Sequence, residues 1–278
     1  MRHSVPITPQ FYVTSPQECP YLENKVERKL FTALNGPDSQ ILNNALSKQG
    51  FRRSQNVLYR PSCADCSACL SARIPIKDFS LSKSEKRVLK RNVDLTREIK
   101  TPWGSYEQFE LFKKYVDLRH DKGGMSGMTE SEFSSMIEET SVNTILCEYS
   151  LKINNSKNIV AVSLTDVIED GLSMVYSFYE PELSELSLGK YMILDHVNLA
   201  IEMNLPYLYL GYWVKGSAKM EYKSQYEPLE VFMNGKWSIL KKELELTKET
   251  NYNSSFTTDP VKNTIYLPDS DSNITQTS

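Results

Sequence analysis

No apolar run in this chain approaches the roughly 20 residues needed to cross a bilayer. Nor do the first residues, MRHSVPITPQFYVTSPQECPYL, contain the continuous apolar segment of a secretory signal. Internal repeats are missing too, which excludes solenoids and propellers. The first two absences make a cytoplasmic location the expectation. The five cysteines are then expected in reducing surroundings, where clustered thiols serve more often as metal ligands or redox groups than as disulfides. What remains is an ordinary globular composition. The 278 residues are 40% hydrophobic and 24% charged, long for one domain and sufficient for two.

The net charge of -3 conceals an asymmetry. Residues 1–100 carry 17 Lys+Arg against 9 Asp+Glu, whereas the remainder carries 15 against 26. A basic first third joined to an acidic remainder suits a protein that holds a polyanion at one end. Uneven but solvated charge gives the same numbers.

Punctuation and periodicity organise the chain. Helices are expected over 38–49, 82–92, 105–120, 129–140 and 186–204, the fourth opening on a capping box. FRRSQNVLY, LSARIPI, NTILCEYSLKI, NIVAVSLTDVI, LSMVYSFYEP and YLYLGYW read as strands, and PLEVFMNGKWSIL as a hairpin turning at its NG. TPWGS near residue 100 interrupts the pattern. The expected organisation is a basic, cysteine-containing domain over 1–100, a mixed-sheet domain over 101–246, and a polar tail over 247–278 with little to bury. The class is α+β. The order of elements in the second domain resembles the N-acetyltransferase (GNAT) superfamily, in which a helix N-terminus faces the acyl carrier.

Four stretches carry chemistry. In YRPSCADCSAC, Cys63, Cys66 and Cys69 step along a tight turn, and Cys19 is the available fourth thiol. Four such ligands suit structural zinc, while the spacing also resembles an iron–sulfur run; nothing in it chooses between them. Cys147, on an apolar strand, reads as a small buried hydrophobe. KRVLKRN and its lead-in place Lys83, Lys86, Arg87, Lys90 and Arg91 within little more than two turns. A patch of this kind binds phosphates without sequence choice, although a charge run is more often a solvated face. Arg28, Lys29, Arg52, Arg53 and Arg60 favour binding by lying in the same third.

In ELSLGKYM, Gly189 and Lys190 stand where a long helix offers unpaired amides to an anion. A simple helix cap explains the same residues. YLGYWVKGSAKMEYKSQYEP interleaves Tyr209, Tyr212, Trp213, Tyr222 and Tyr226 with Lys215, Lys219 and Lys223. That mixture suits stacking on bases and contact with phosphate, or equally a core strand with its usual aromatic share.

CPYL, ERKLFT, GFRRSQNVLYRPSCADCSAC, KRVLKRN, RH…GGM, SLGKYMILDH and YLYLGYWVKGSAKMEYKSQYEPLEV follow one another across about residues 11 to 237. In that order they resemble the aminoacyl-tRNA–protein transferases. The resemblance is closer to the bacterial aspartate/glutamate leucyltransferase branch than to the eukaryotic arginyltransferases. Ala218 departs from the basic residue expected in KGSAKMEYK, and the tail beyond about 247 has no counterpart.

The resemblance implies transfer of leucine from leucyl-tRNA to the α-amine of proteins beginning with Asp or Glu, creating a degradation signal. It implies no soluble organic cofactor and no membrane partner, with zinc or iron–sulfur on Cys19, Cys63, Cys66 and Cys69 less secure than among arginyltransferases. Aminolysis of an ester needs orientation, an oxyanion site and a proton path more than a strong nucleophile. Tyr176, Tyr179 and Tyr222 are the candidate donors to the leaving oxygen, and Glu221 and Glu227 the candidate acceptors of the amine proton. Arg119 is the first choice for the acceptor's carboxylate and Lys223 the second. Lys83, Lys86, Arg87, Lys90, Arg91, Gly189, Lys190, Lys215 and Lys219 are the expected tRNA contacts. An arginyltransferase, a metal-stabilised RNA-binding module without catalysis and a small-molecule acetyltransferase are the competing readings.

Overall fold

The computed structural model describes residues 9–119, 125, 127–153 and 156–241. The polar tail and most of the glycine-containing loop after Arg119 lie outside the described residues. The chain opens with four short strands, β1 (Tyr12–Val13), β2 (Gln17–Glu18), β3 (Val26–Glu27) and β4 (Lys29–Ala33). Helix α1 (Ser39–Ser47) follows, then β5 (Arg52–Ser54), β6 (Val57–Pro61) and β7 (Cys69–Pro75). FRRSQNVLY is therefore a hairpin and not the single strand expected. Its turn carries no glycine signal because Gln55 itself takes the left-handed conformation, φ 49°.

Helix α2 (Lys83–Arg91) begins with a reciprocal cap, the Ser82 hydroxyl accepting from the Glu85 amide and the Glu85 carboxylate from the Ser82 amide. Next come β8 (Thr96–Lys100), α3 (Tyr106–Arg119) and α4 (Glu130–Glu138), the last capped in the same way by Thr129 and Glu132. A meander of β9 (Thr144–Ile153), β10 (Ser156–Ile168) and β11 (Gly171–Tyr179) leads to α5 (Leu188–Glu202) and β12 (Tyr207–Val214). The NG hairpin closes the described chain as β13 (Glu230–Met233) and β14 (Lys236–Ile239).

Eight strands form one sheet in the order β14-β13-β7-β12-β11-β10-β9-β8. Among the described strands only β11 and β12 pair in parallel, and α5 is the crossover between them. The sheet runs across residue 100, the boundary expected from the sequence, because β7 is a central strand and β8 an edge strand of it. The apolar alternation of LSARIPI is that of a buried strand, with Ala72 and Ile74 fully enclosed.

One core joins α5 to the sheet through Leu188, Met192, Leu194, Leu172, Leu208 and Leu210. A second core joins α3 and α4 to it around Phe112, Phe133 and Phe178, whose ring centroids lie 5.1–5.9 Å apart. The four-stranded sheet β1-β4-β6-β5 packs its own core with α1, around Leu30, Leu46 and Leu58. It is tied to the large sheet by a buried ion pair, Arg53 to Asp166, with both nitrogen–oxygen distances 2.6 Å. Among the described residues no helix is long and apolar enough to cross a membrane.

Candidate functional site

The parallel ladder between β11 and β12 lasts three residues, Gly171–Ser173 against Tyr207–Tyr209. Beyond it the partners on either side lose register, between Leu164 and Thr165 on β10 and between Tyr209 and Gly211 on β12. The carbonyls that β12 leaves on β11 are taken by a side chain from β5. Arg52 Nη2 donates to the oxygens of Met174 and Val175, both at 2.8 Å. Gly211 makes room for it. The residue sits at φ +75°, and a Cβ there would fall 1.1 Å from Arg52 Nη1.

Around this guanidinium stands a group of phenols and cations. The charge of Arg52 opposes the burial-driven rise in the titration of Tyr21 and Tyr212. The Tyr212 hydroxyl donates to the carbonyls of Tyr59 at 2.8 Å and Gly50 at 3.2 Å. Lys223 lies on a short 3-10 helix, Glu221–Gln225, and is only 5% exposed. Its Nζ donates to the Tyr212 carbonyl at 2.5 Å, rests 3.3 Å from Met220 Sδ, and lies 5.7 Å from the centre of the Tyr222 ring. Burial, reinforced by the charge of Arg52, lowers the Lys223 ammonium from 10.5 to about 7. Arg60 lies 5.0 Å over the Phe51 ring, and burial lowers its pKa too. Among the described residues none of Arg52, Arg60 and Lys223 has a carboxylate in ion-pair range.

A pH effect on stability follows. The folded protein sheds the Lys223 proton near pH 7, whereas the unfolded chain holds it until about 10.5. The cost of burying that charge is present in full below pH 7 and is relieved as pH rises toward 10.5. Urea midpoints should therefore climb across that window for the natural protein relative to Lys223→Met. Parallel profiles for the two would refute the assignment.

Tyr179 stands at the end of β11. Its ring packs at a tilt of 59° against Tyr115, with centroids 4.9 Å apart. A Cβ at Gly189 would stand 3.1 Å from the same ring, so glycine lets α5 begin against it. Ser187, with φ 53°, supplies no side-chain cap, and the first-turn amides of α5 are left to other partners. Tyr176 lies deeper, beside Phe112 at 6.1 Å, and burial pushes its hydroxyl up to about 12. It therefore remains a proton donor throughout the neutral range.

The basic helix is tied to the same corner. Arg91 donates to the Glu185 carbonyl and Asn92 Nδ2 to that of Leu186 at 2.8 Å, just ahead of α5. Lys83, Lys86, Arg87, Lys90 and Arg91 are all exposed. A cleft of about 500 Å³ runs between the start of α2 and the start of α5, with Lys190, Glu85, Gln225 and Glu227 on its walls. Lys215, Lys219 and Glu221 are exposed on the segment after β12, as is Tyr222 at 43%. Arg119 ends α3, and its side chain lies outside the described residues.

The fold thus brings Tyr179, Tyr222, Gly189, Lys190 and Glu227 to one region and corrects several expectations. Lys223 is interior, where its spacing among tyrosines suggested a surface cation. Arg52 and Arg53 point inward and are not part of a surface patch for phosphates. Their sequence signal was misleading, since a charged pair on a short strand ordinarily faces solvent on at least one side. Arg52, Gly211 and Tyr115 were missed because each acquires its role from a partner distant in sequence.

The cysteine cluster assembles, but not as a ligand set. Cys69 is pushed up to about 12 by burial first and then by Cys66, Cys19 and Cys63, which places the four thiols near one another. Cys63 donates to the Arg28 carbonyl at 3.8 Å. Yet among the described residues no group of three or more His, Cys, Asp or Glu side chains is arranged to hold a metal ion. Zinc or iron–sulfur is not supported here, and no chemical step is assigned to these thiols. Cys147 is fully buried in the core. His196 is held neutral by burial between Thr165 Oγ1 at 2.9 Å and the Met192 carbonyl at 2.7 Å, a structural role.

Two family models match the chain, the N terminus of arginine-tRNA-protein transferase over residues 17–87 and its C terminus over residues 107–233. A protein of Ruegeria pomeroyi named aspartate/glutamate leucyltransferase is 58% identical over 240 residues, covering 86% of this chain and 87% of its own. One of the same name from Jannaschia is 53% identical over 272 residues, covering 97% of this chain and 94% of its own. Another from Dinoroseobacter shibae is 56% identical over 244 residues, covering 85% and 86%. Both matched segments contribute to the corner where α2, α5 and the gap between β11 and β12 meet. The chain belongs to the aminoacyl-tRNA–protein transferases, in the bacterial aspartate/glutamate leucyltransferase branch.

Proposed function

We propose that this protein transfers leucine from leucyl-tRNA to the α-amine of proteins whose first residue is Asp or Glu, giving a product with a new amino terminus that marks it for proteolysis. The observation that carries this reading is 53–58% identity, along most of both chains, to proteins named for that activity. The arrangement of strands around β11, α5 and β12 supports it, since an acyltransferase-like half uses such a gap to receive an acyl group beside a helix N-terminus. The exposed cations of α2 supply non-specific attraction for an RNA backbone on the same side.

In this reaction the substrate amine attacks the aminoacyl carbonyl, and the bond from that carbon to the ribose oxygen breaks. An α-amine with a pKa of about 7.7–8.0 is already partly neutral near pH 7. The protein's contribution is to orient it, stabilise the tetrahedral oxyanion and return a proton to the ribose oxygen. Tyr176 and Tyr179 are suited to donate, the first because its hydroxyl does not ionise in the working range. Tyr222 faces the same region with more exposure. Glu221 and Glu227 are both exposed, and Glu227, which lines the cleft beside Lys190, is the better placed to accept the amine proton.

The family description names arginine and the relatives' names specify leucine, so the donor is the point to test. Leucyl-tRNA and arginyl-tRNA, each labelled in the amino acid, are incubated side by side with a peptide beginning in Asp. Labelling of the peptide by leucine alone is the expected result. Arginine transfer at an equal rate would refute leucine specificity, and binding of tRNA with no labelling by either would return the RNA-binding reading.

A further inference from the structure

A second cavity opens on the face of the large sheet away from α5. Leu146 packs with α3 and α4 while Cys147 and Tyr149 pack with α5, so alternate residues of β9 face the two helical layers. On the α3 side, between the start of that helix and the end of β9, lies a space of about 390 Å³. Its floor is polar and interior, formed by Gln108, Glu148 and Ser150, none more than 4% exposed. Glu148 is satisfied, accepting from Lys100 Nζ at 2.5 Å and from Gln108 Nε2 at 3.0 Å. Lys157, also on the wall, is paired with Glu98. Two polar groups are left uncommitted. The Ser150 hydroxyl has no hydrogen-bond partner among the described residues. Glu107 accepts only from the Ile159 amide at 3.3 Å and belongs to no ion pair among them. Trp103 completes the wall and is 69% exposed.

We infer that this cavity receives a basic side chain of the acceptor polypeptide, at roughly its fourth or fifth residue. This rests on the function proposed above. An indole face attracts a guanidinium or an ammonium. Glu107 supplies the counter-charge and Ser150 a further acceptor, to which a guanidinium stacked on Trp103 has donors to give. Lys100 and Lys157 together meet three carboxylates, Glu98, Glu107 and Glu148, which leaves the cavity one negative charge. The same engagement makes these lysines poor partners for phosphate. The exposed cations of α2 lie on the other face, where Val88 of that helix packs in the core around α5. RNA held there leaves the α3 face to the polypeptide. Reach is set by the sheet. Tyr179 lies opposite Ala161, and Ala161 opposite Tyr149, the neighbour of Ser150. Two strand spacings are about 10 Å, the span of roughly three extended residues. Helix α3 joins the two places, with Gln108 at the cavity and Tyr115 against Tyr179.

A peptide beginning with Asp and carrying Arg at its fourth or fifth position should show a KM roughly 3- to 20-fold below that of the same peptide with Ala there. Trp103→Ala and Glu107→Gln should each erase most of that advantage, with KM for the Ala peptide and for leucyl-tRNA unchanged. Both residues are exposed, so the fold tolerates either change. Equal KM for the Arg and Ala peptides overturns the inference, as does an advantage that survives both substitutions. A raised KM for leucyl-tRNA in the variants would assign the cavity to RNA and overturn it too. Calorimetry of the two peptides with the natural protein reads the preference without turnover, and equal affinities there overturn the inference as well. Tighter binding of the Arg peptide without any transfer of leucine would uphold the cavity as a receptor for basic side chains and refute the function proposed above.

Discussion

Gly211→Ala is expected to lower the free energy of unfolding by roughly 2.5–5 kcal/mol and to abolish detectable leucine transfer. Two effects combine. An alanine held at φ +75° bears strain of about 1–2 kcal/mol that glycine escapes. Its methyl group also occupies the position of Arg52 Nη1, so the guanidinium must leave Met174 and Val175 with unpaired carbonyls. Loss of hydrogen bonds to a charged group costs about 1.5–3 kcal/mol more. Urea unfolding measures the stability, and labelled leucine the transfer. Replacing Arg52 by alanine in the same chain removes the collision. The double variant should then be less destabilised than the sum of the singles, as coupled neighbours are. Strict additivity would show that Gly211 is required for its backbone alone.

Arg53→Met should cost about 3–5 kcal/mol, because it strands the Asp166 carboxylate in a fully buried position. Asp166 would retain one hydrogen bond, from Thr144 Oγ1 at 2.9 Å. The pair also fastens the β5–β6 hairpin to β10, so its loss loosens the N-terminal sheet from the large one and displaces Arg52, the adjoining residue. Replacing both partners, Arg53→Met with Asp166→Leu, should recover most of the stability, since an apolar pair of similar bulk has no stranded charge. A loss below about 1 kcal/mol for the single change would mean that water reaches Asp166 and that the pair is not truly interior.

The two arginines show where reading the sequence succeeds and where it stops. FRRS announces a strand through local preference, and a strand forms there. Its two cations look like surface charge, yet both are interior. Arg53 finds its partner 113 residues away and Arg52 its carbonyls 122 and 123 away. Lys223 repeats the lesson in the opposite half. Its neighbours in sequence are polar and aromatic, and only the carbonyl of Tyr212 and the walls around it make it a buried amine. Tyr179 ends β11 directly before the loop into α5, a place that the strand and helix periods of the sequence already mark.

The sequence by itself determined what neighbouring residues decide among themselves. This covers the capping boxes at Ser82 and Thr129, the NG hairpin, the helical and alternating periods, and the ordered motifs that mark the family. Tertiary structure alone decided that β7 joins the large sheet of the second half, that among the described residues the cysteines form no ligand set, and that Arg52 and Lys223 turn inward onto backbone carbonyls beside β11. The physical reason is range. Caps and periods arise within one or two turns of the backbone, whereas burial and the pairing of charge depend on which distant segments meet.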